Sequence, residues 1–268
     1  MRFSVLASGS SGNAVYIESD MTKILLDAGI SGKQIGLRLK EAAGRSILDL
    51  DAVLLTHEHI DHVRGVRQVA KQAQAAPIYA TEGTWSQIVD EFRDETAARR
   101  WNRVVADTRI VIGDITVTPF TVSHDAEEPV AYRFDCDRQS LAVVTDLGYM
   151  TDHIKSVIAG CQSYVLEANH DVDMLRAGRY PWSVKRRILS DKGHLSNTDS
   201  AIALADLLGN EEVDVYLAHL SEENNQPDLA ELTVSSVLRE IRETYLEQVS
   251  LHRTSRAAAT AFRNLAGV

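Results

Sequence analysis

Cysteine is nearly absent from this chain: there are two in 268 residues, Cys136 and Cys161. Two are too few for a disulfide framework and too far apart for a thiolate metal site. Long apolar runs are also missing. Residues 1–7 are β-prone but too short for the hydrophobic region of a signal peptide or for a membrane span, so the expectation is a cytoplasmic protein with no membrane partner. Positive charge is in deficit, with 28 basic against 38 acidic residues and a net charge of -10. That balance argues against coating nucleic acid by bulk charge, although bound cations and a local basic strip can reverse the sign at one place. One such strip holds Arg176, Arg179, Lys185, Arg186, Arg187 and Lys192, opposed only by Asp191. Taken alone, a strip of this kind is more often a solvated surface than a binding site.

Short β-prone runs predict strands at 3–7, 14–18, 23–26, 51–55 and 77–80. A second group follows at 104–105, 109–112, 115–120, 130–134, 140–144, 164–166 and 213–217. Helices are expected over 32–43, with Ile35, Leu37 and Leu39 inward, and over 63–74, 81–92, 154–158 and 197–208. A long closing helix is expected over 228–247, burying Leu229, Leu232, Val237, Ile241 and Tyr245. Nothing repeats at a fixed period and no low-complexity linker interrupts the chain, so 1–268 reads as one domain. Strands with scattered helices in both halves suit two packed sheets covered by helices.

What is plentiful is histidine in one place. His57-x-His59-x-Asp61-His62 packs four potential ligands into six residues, directly after an apolar strand. Side chains two apart on a strand share a face, so His57 and His59 can aim together, and the next turn can present Asp61 and His62 nearby. Such a cluster suits two metals roughly 3.5–4 Å apart, acting as Lewis acids and jointly holding a hydroxide. Imidazole and carboxylate favour zinc, manganese or iron; copper(I) or iron–sulfur chemistry would want thiolates.

The run from Thr56 to His62 resembles the signature of the metallo-β-lactamase superfamily, whose other marks follow in order: Asp27 in Leu-Leu-Asp-Ala-Gly, His124 in Ser-His-Asp, Asp146 in Val-Thr-Asp-Leu-Gly and His219 in Leu-Ala-His-Leu-Ser. The resemblance runs from about residue 1 to 225. It implies an α/β fold, an αββα sandwich of two mixed sheets flanked by helices. It also implies two divalent metal ions, one held by His57, His59 and His124 and the other by Asp61, His62 and His219, with Asp146 shared.

Superfamily membership leaves the substrate open. Residues 8–13, Ser-Gly-Ser-Ser-Gly-Asn, are either a plain hairpin turn or an anion site in which Ser10, Ser11 and Asn13 add donors. Glu167 and His194 resemble the pair that phosphodiesterase members such as ribonuclease Z set beside their metals. The resemblance makes His194 the proton donor to the leaving oxygen and Glu167 its orienting partner, with Asp61 counted in catalysis too. The segments Glu-Ala-Asn-His-Asp (167–171), Tyr180-Pro181, Lys185-Arg186-Arg187, Gly-His-Leu-Ser-Asn (193–197) and Ala-His-Leu-Ser-x-x-Asn-Asn (218–225) resemble the YycJ/WalJ group of bacterial proteins. That group implies a 5′-to-3′ exonuclease on double-stranded DNA, with Lys185, Arg186 and Arg187 along the phosphate backbone and His170 either touching substrate or supporting a ligand. The competing expectations are a hydrolase of cyclic phosphodiesters, esters or lactones, and a metal-bound regulatory protein without turnover.

Overall fold

The structure, a computed structural model, describes residues 1–92 and 100–265. Two seven-stranded sheets lie face to face. The first runs β14-β1-β2-β3-β4-β5-β6. Its strands are β1 (Arg2–Ala7), β2 (Ala14–Glu18), β3 (Lys23–Leu26), β4 (Ala52–Leu54), β5 (Ile78–Ala80), β6 (Trp101–Arg103) and β14 (Arg263–Asn264). The second runs β13-β12-β11-β10-β9-β8-β7. It is built from β7 (Ile110–Ile112), β8 (Ile115–Thr121), β9 (Val130–Cys136), β10 (Gln139–Val144), β11 (Ser163–Glu167), β12 (Val213–Ala218) and β13 (Val249–Arg253). Both sheets are mixed: antiparallel from β14 to β3 and parallel from β3 to β6, antiparallel from β7 to β10 and parallel from β10 to β13.

Alternation along the strands builds three layers of core. In β3 and β4, Ile24, Leu26, Ala52 and Leu54 point between the sheets, while Leu25 and Val53 point outward into helices. In β10 and β11, Leu141, Val143 and Val165 meet them from the other sheet, and Ala142, Val144, Tyr164 and Leu166 pack on the outer helices of that side. Burial of both faces is why these strands read as unbroken apolar runs. The architecture is the αββα sandwich expected.

Several local expectations are corrected. In α1 (Gly32–Ala43), Ile35 and Leu39 are buried, but Leu37 is exposed, because residues four apart share a helix face and the one between them lies opposite. The helix expected over 63–74 is two pieces, α2 (Ile60–Val63) and α3 (Val66–Gln72). They meet at Gly65, where a Cβ would stand 2.2 Å from the Ile30 carbonyl oxygen. The helix over 81–92 is Glu82–Ile88 followed by a single 3₁₀ turn, and the strand expected at 104–105 lies at Trp101–Arg103. The closing helix runs Pro227–Ile241 and buries Ala230, Val234 and Leu238, leaving Leu232 and Ile241 exposed. Tyr245 is buried as expected, but in a separate turn, Tyr245–Gln248, that leads into β13.

Candidate metal centre

The parallel arrangement of β3 with β4, and of β10, β11 and β12, brings their C-terminal ends to common edges, where open α/β sheets place ligands. Asp27 follows β3, His57 and the turn to α2 follow β4, and His124 follows β8. Asp146 follows β10, Glu167 ends β11 and His219 follows β12. Asp27, Asp146 and His219 sit at φ 58°, 61° and 54°. The left-handed region is uncommon for residues with a side chain, and here it turns three of them out of their strands into one cleft.

The cleft gathers donors densely. His57, His59 and His124 bring ring nitrogens within metal-ligand range of one another, and the nitrogens and carboxylate oxygens of His57, His62 and Asp146, and of Asp61, His62 and His219, cluster in the same way. Asp146 links the groups: its carboxylate lies 3.1 Å from His62 Nε2, 3.4 Å from His219 Nδ1 and 3.8 Å from His124 Nε2. His57 Nε2 is buried without a hydrogen-bond partner. Orphaned buried polar atoms are costly unless something else pairs with them, and a cation between imidazoles and carboxylates does so. The residues therefore fit the two-ion centre, with hard and borderline donors suited to zinc, manganese or iron.

Charge distribution follows the same logic. Burial drives His57 and His124 toward the neutral form, the state that ligates metal. Burial opposes protonation of His62 and His219 too, but facing carboxylates outweigh it: Asp146 and Asp27 raise His62 well above its ordinary value, and Asp146, Asp61 and Glu167 raise His219 to about 10.

Glu167 is fully buried, and one of its oxygens meets both His194 Nδ1 and His219 Nδ1 at 2.8 Å. Its other oxygen accepts from the backbone N–H groups of Leu147 and Leu195, each at 3.1 Å. Although burial works against the charge, the two imidazoles hold the carboxyl at about 2. His194 also stands 3.8 Å from Asp146, so the expected pair sits inside the cluster.

Asn13 enters the cleft as well, with Nδ2 3.1 Å from His62 Nε2 and 3.4 Å from Asp61 Oδ2, while Ser10 and Ser11 are exposed. His170 is buried, and neither ring nitrogen finds a partner. The basic strip divides. Within the helix Trp182–Ile188, Arg186 is exposed, and Arg187 pairs with Asp125 next to His124. Lys185 does not reach the rim: it is buried and donates at 2.7 Å to the carbonyls of Arg176 and Gly178, closing the helix Val172–Ala177. Replacing Lys185 by methionine is expected to cost about 1–3 kcal/mol by leaving those carbonyls unpaired. Denaturant unfolding measures that loss.

Sequence reasoning placed Asp27 in the first motif without giving it a contact. Its carboxylate accepts from Thr56 N at 2.9 Å and Thr56 Oγ1 at 2.9 Å, and meets His62 Nδ1 at 2.8 Å. Ser8, whose hydroxyl accepts from His219 N at 2.7 Å, and Asn169, which donates to the His219 carbonyl at 2.8 Å, were missed. Ser8 had a signal in the glycine- and serine-rich loop; Asn169 had only its nearness to Glu167.

The family described as the beta-lactamase superfamily domain matches residues 22–220. This chain belongs to that superfamily. Within it, the chain falls in the YycJ/WalJ group: it is 47% identical over 90% of both chains to exodeoxyribonuclease YycJ of Bacillus anthracis, and 43% identical over 88% of both chains to exodeoxyribonuclease WalJ of Streptococcus pneumoniae. The metallo-β-lactamase-fold protein YhfI of Bacillus subtilis shares the fold at a TM-score of 0.73, covering 97% of this chain and 98% of its own, at 15% identity. As a member of the metallo-β-lactamase superfamily, the chain is a hydrolase with clusters able to bind metal. An Asp27→Asn variant, which loses the carboxylate behind His62, is expected to bind metal about 10–100-fold more weakly, as measured by competition with a chelating dye.

Proposed function

We propose that the protein is a two-metal phosphodiesterase that removes nucleotides from the 5′ ends of duplex DNA, working in the cytoplasm as a single domain. The observation that carries this reading is the Glu167–His194 couple set within the ligand cluster, with Glu167 Oε1 2.8 Å from His194 Nδ1. Two divalent ions held by His57, His59, His124, Asp61, His62, His219 and Asp146 would supply Lewis acidity and water of lowered pKa.

The chain's own groups do the rest. Ionised Glu167 fixes His194 through Nδ1, which leaves Nε2 to deliver a proton to the departing oxygen. A departing alkoxide needs that proton far more than the thiolate leaving from a thioester does. Exposed Arg186, with Arg187 beside it in its pair with Asp125, offers charge to a phosphate backbone at the rim, and so few cations imply modest affinity that weakens as salt rises. The free, buried Cys136 and Cys161 suit a reducing compartment. The names of the YycJ and WalJ relatives support the substrate.

The test is a substrate panel given to the metal-loaded protein: duplex DNA, RNA, a chromogenic phosphodiester and a lactone. Release from DNA and turnover of the diester without the lactone supports the reading. Lactone turnover with DNA untouched replaces it with the small-molecule alternative.

A further inference from the structure

Beside His194 opens a cavity of 190 Å³. Its walls come from four parts of the chain: Ser10 in the first loop, Asn169 after β11, Ser221 after β12, and Tyr180, Val184 and Arg187 from the segment carrying the basic strip. The lining pairs an aromatic ring and two branched apolar side chains, Val184 and Ile188, with two hydroxyls, the Asn169 amide and one guanidinium. Its size is restrictive. A cavity of about 150 Å³ admits a benzene ring, whereas drug-sized ligands occupy about 300–1,000 Å³. One heterocyclic base fits here and two do not.

We infer that this cavity seats the base of the terminal nucleotide of the strand being cut, so that each cleavage releases a single nucleotide. The inference rests on the phosphodiesterase reading above. His194 fixes which nucleotide is meant. A proton donor must come within hydrogen-bond reach of the oxygen it protonates, so the nucleotide bearing that oxygen lies in the space His194 lines. Hydroxide adds to phosphorus, and the bond from phosphorus to the leaving oxygen breaks with its electron pair on oxygen. The proton from His194 completes the new hydroxyl, and the shortened strand keeps the phosphate. For digestion from a 5′ end the leaving oxygen is the 3′ oxygen of the terminal nucleotide. Tyr180 supplies a surface for stacking, which every base accepts. Ser10 and Ser221 carry hydroxyls that both donate and accept, so base edges of either kind are satisfied. Arg187 serves the following phosphate from the mouth. The cavity thus measures length without reading sequence.

The test uses the metal-loaded full chain and 5′-labelled duplexes of differing terminal base, with products resolved by length. Wild type is expected to release mononucleotides from all four termini at similar rates. Val184→Trp, which fills the cavity, is expected to slow release at least about tenfold, and Tyr180→Ala roughly tenfold to a hundredfold, the span of one base–aromatic stack. Tyr180→Phe, which keeps the ring, should restore release. Metal content and unfolding midpoint establish that each variant is folded. Mononucleotide release by both Val184→Trp and Tyr180→Ala at the wild-type rate, or oligonucleotides as the first wild-type products, overturns the inference. If wild type releases nothing from DNA, the reading of function has failed instead. Calorimetric titration with deoxyadenosine monophosphate then decides the cavity separately: binding lost in Val184→Trp supports it, and equal binding overturns it.

Discussion

An Asp146→Asn variant is expected to lose at least one metal ion and about a thousandfold or more in turnover of any phosphodiester. Asp146 has a carboxylate that approaches ligands of both proposed ions, His62 and His219 on one side and His124 on the other. Asparagine keeps the backbone conformation at φ 61°, a region that Asn tolerates, so the substitution removes charge without forcing the turn to refold. The loss follows from Lewis-acid stabilisation worth several kcal/mol, with each 1.36 kcal/mol a factor of ten. Elemental analysis and diester hydrolysis on one preparation check it. A folded variant that keeps two ions and wild-type turnover would show that Asp146 does not bridge.

The second large effect separates proton donation from metal chemistry. His194→Ala is expected to slow DNA cleavage by about 10²–10⁴-fold, the usual contribution of a positioned general acid. Bis(4-nitrophenyl) phosphate, whose phenolate leaves without a proton, should fall by less than about tenfold. Glu167→Gln should follow the same pattern more weakly, because the amide cannot hold the Nδ1 proton as a carboxylate kept at about 2 does. Equal losses on the two substrates in His194→Ala would remove His194 from the proton-transfer step and leave it a structural neighbour of Asp146.

The sandwich and the cluster of candidate ligands were legible for one reason: both depend on strands. Strands buried on two faces are apolar throughout, and ligands placed at their ends stand out as polar punctuation after each run, as at His57, Asp146 and His219. Helical faces were harder to read. Leu37 and Leu232 looked inward by composition, yet Leu39 and the small Ala230 hold those stripes, because a period near 3.6 tolerates small residues that hydropathy undervalues. The last strands, β13 and β14, went unseen because their side chains are half-buried or exposed and carry no alternation. Lys185 shows the limit for charge. Nothing in a run of cations reveals which ammonium is spent on backbone carbonyls and which faces solvent. The positive φ values at Asp27, Asp146 and His219 had only a weak signature, since Asp and His enter that region more often than most residues but far less freely than glycine.

The central claim, a metal-dependent phosphodiesterase that works inward from DNA ends, is tested most directly by a time course on duplex DNA labelled separately at its 5′ and 3′ ends. The protein would be loaded in turn with manganese, magnesium and zinc, across a range of salt. The account predicts early release of the 5′ label as mononucleotide, stepwise shortening of the 3′-labelled strand, and rates that fall as salt rises. Intact duplex with every metal, in a preparation shown to bind two ions, would contradict it.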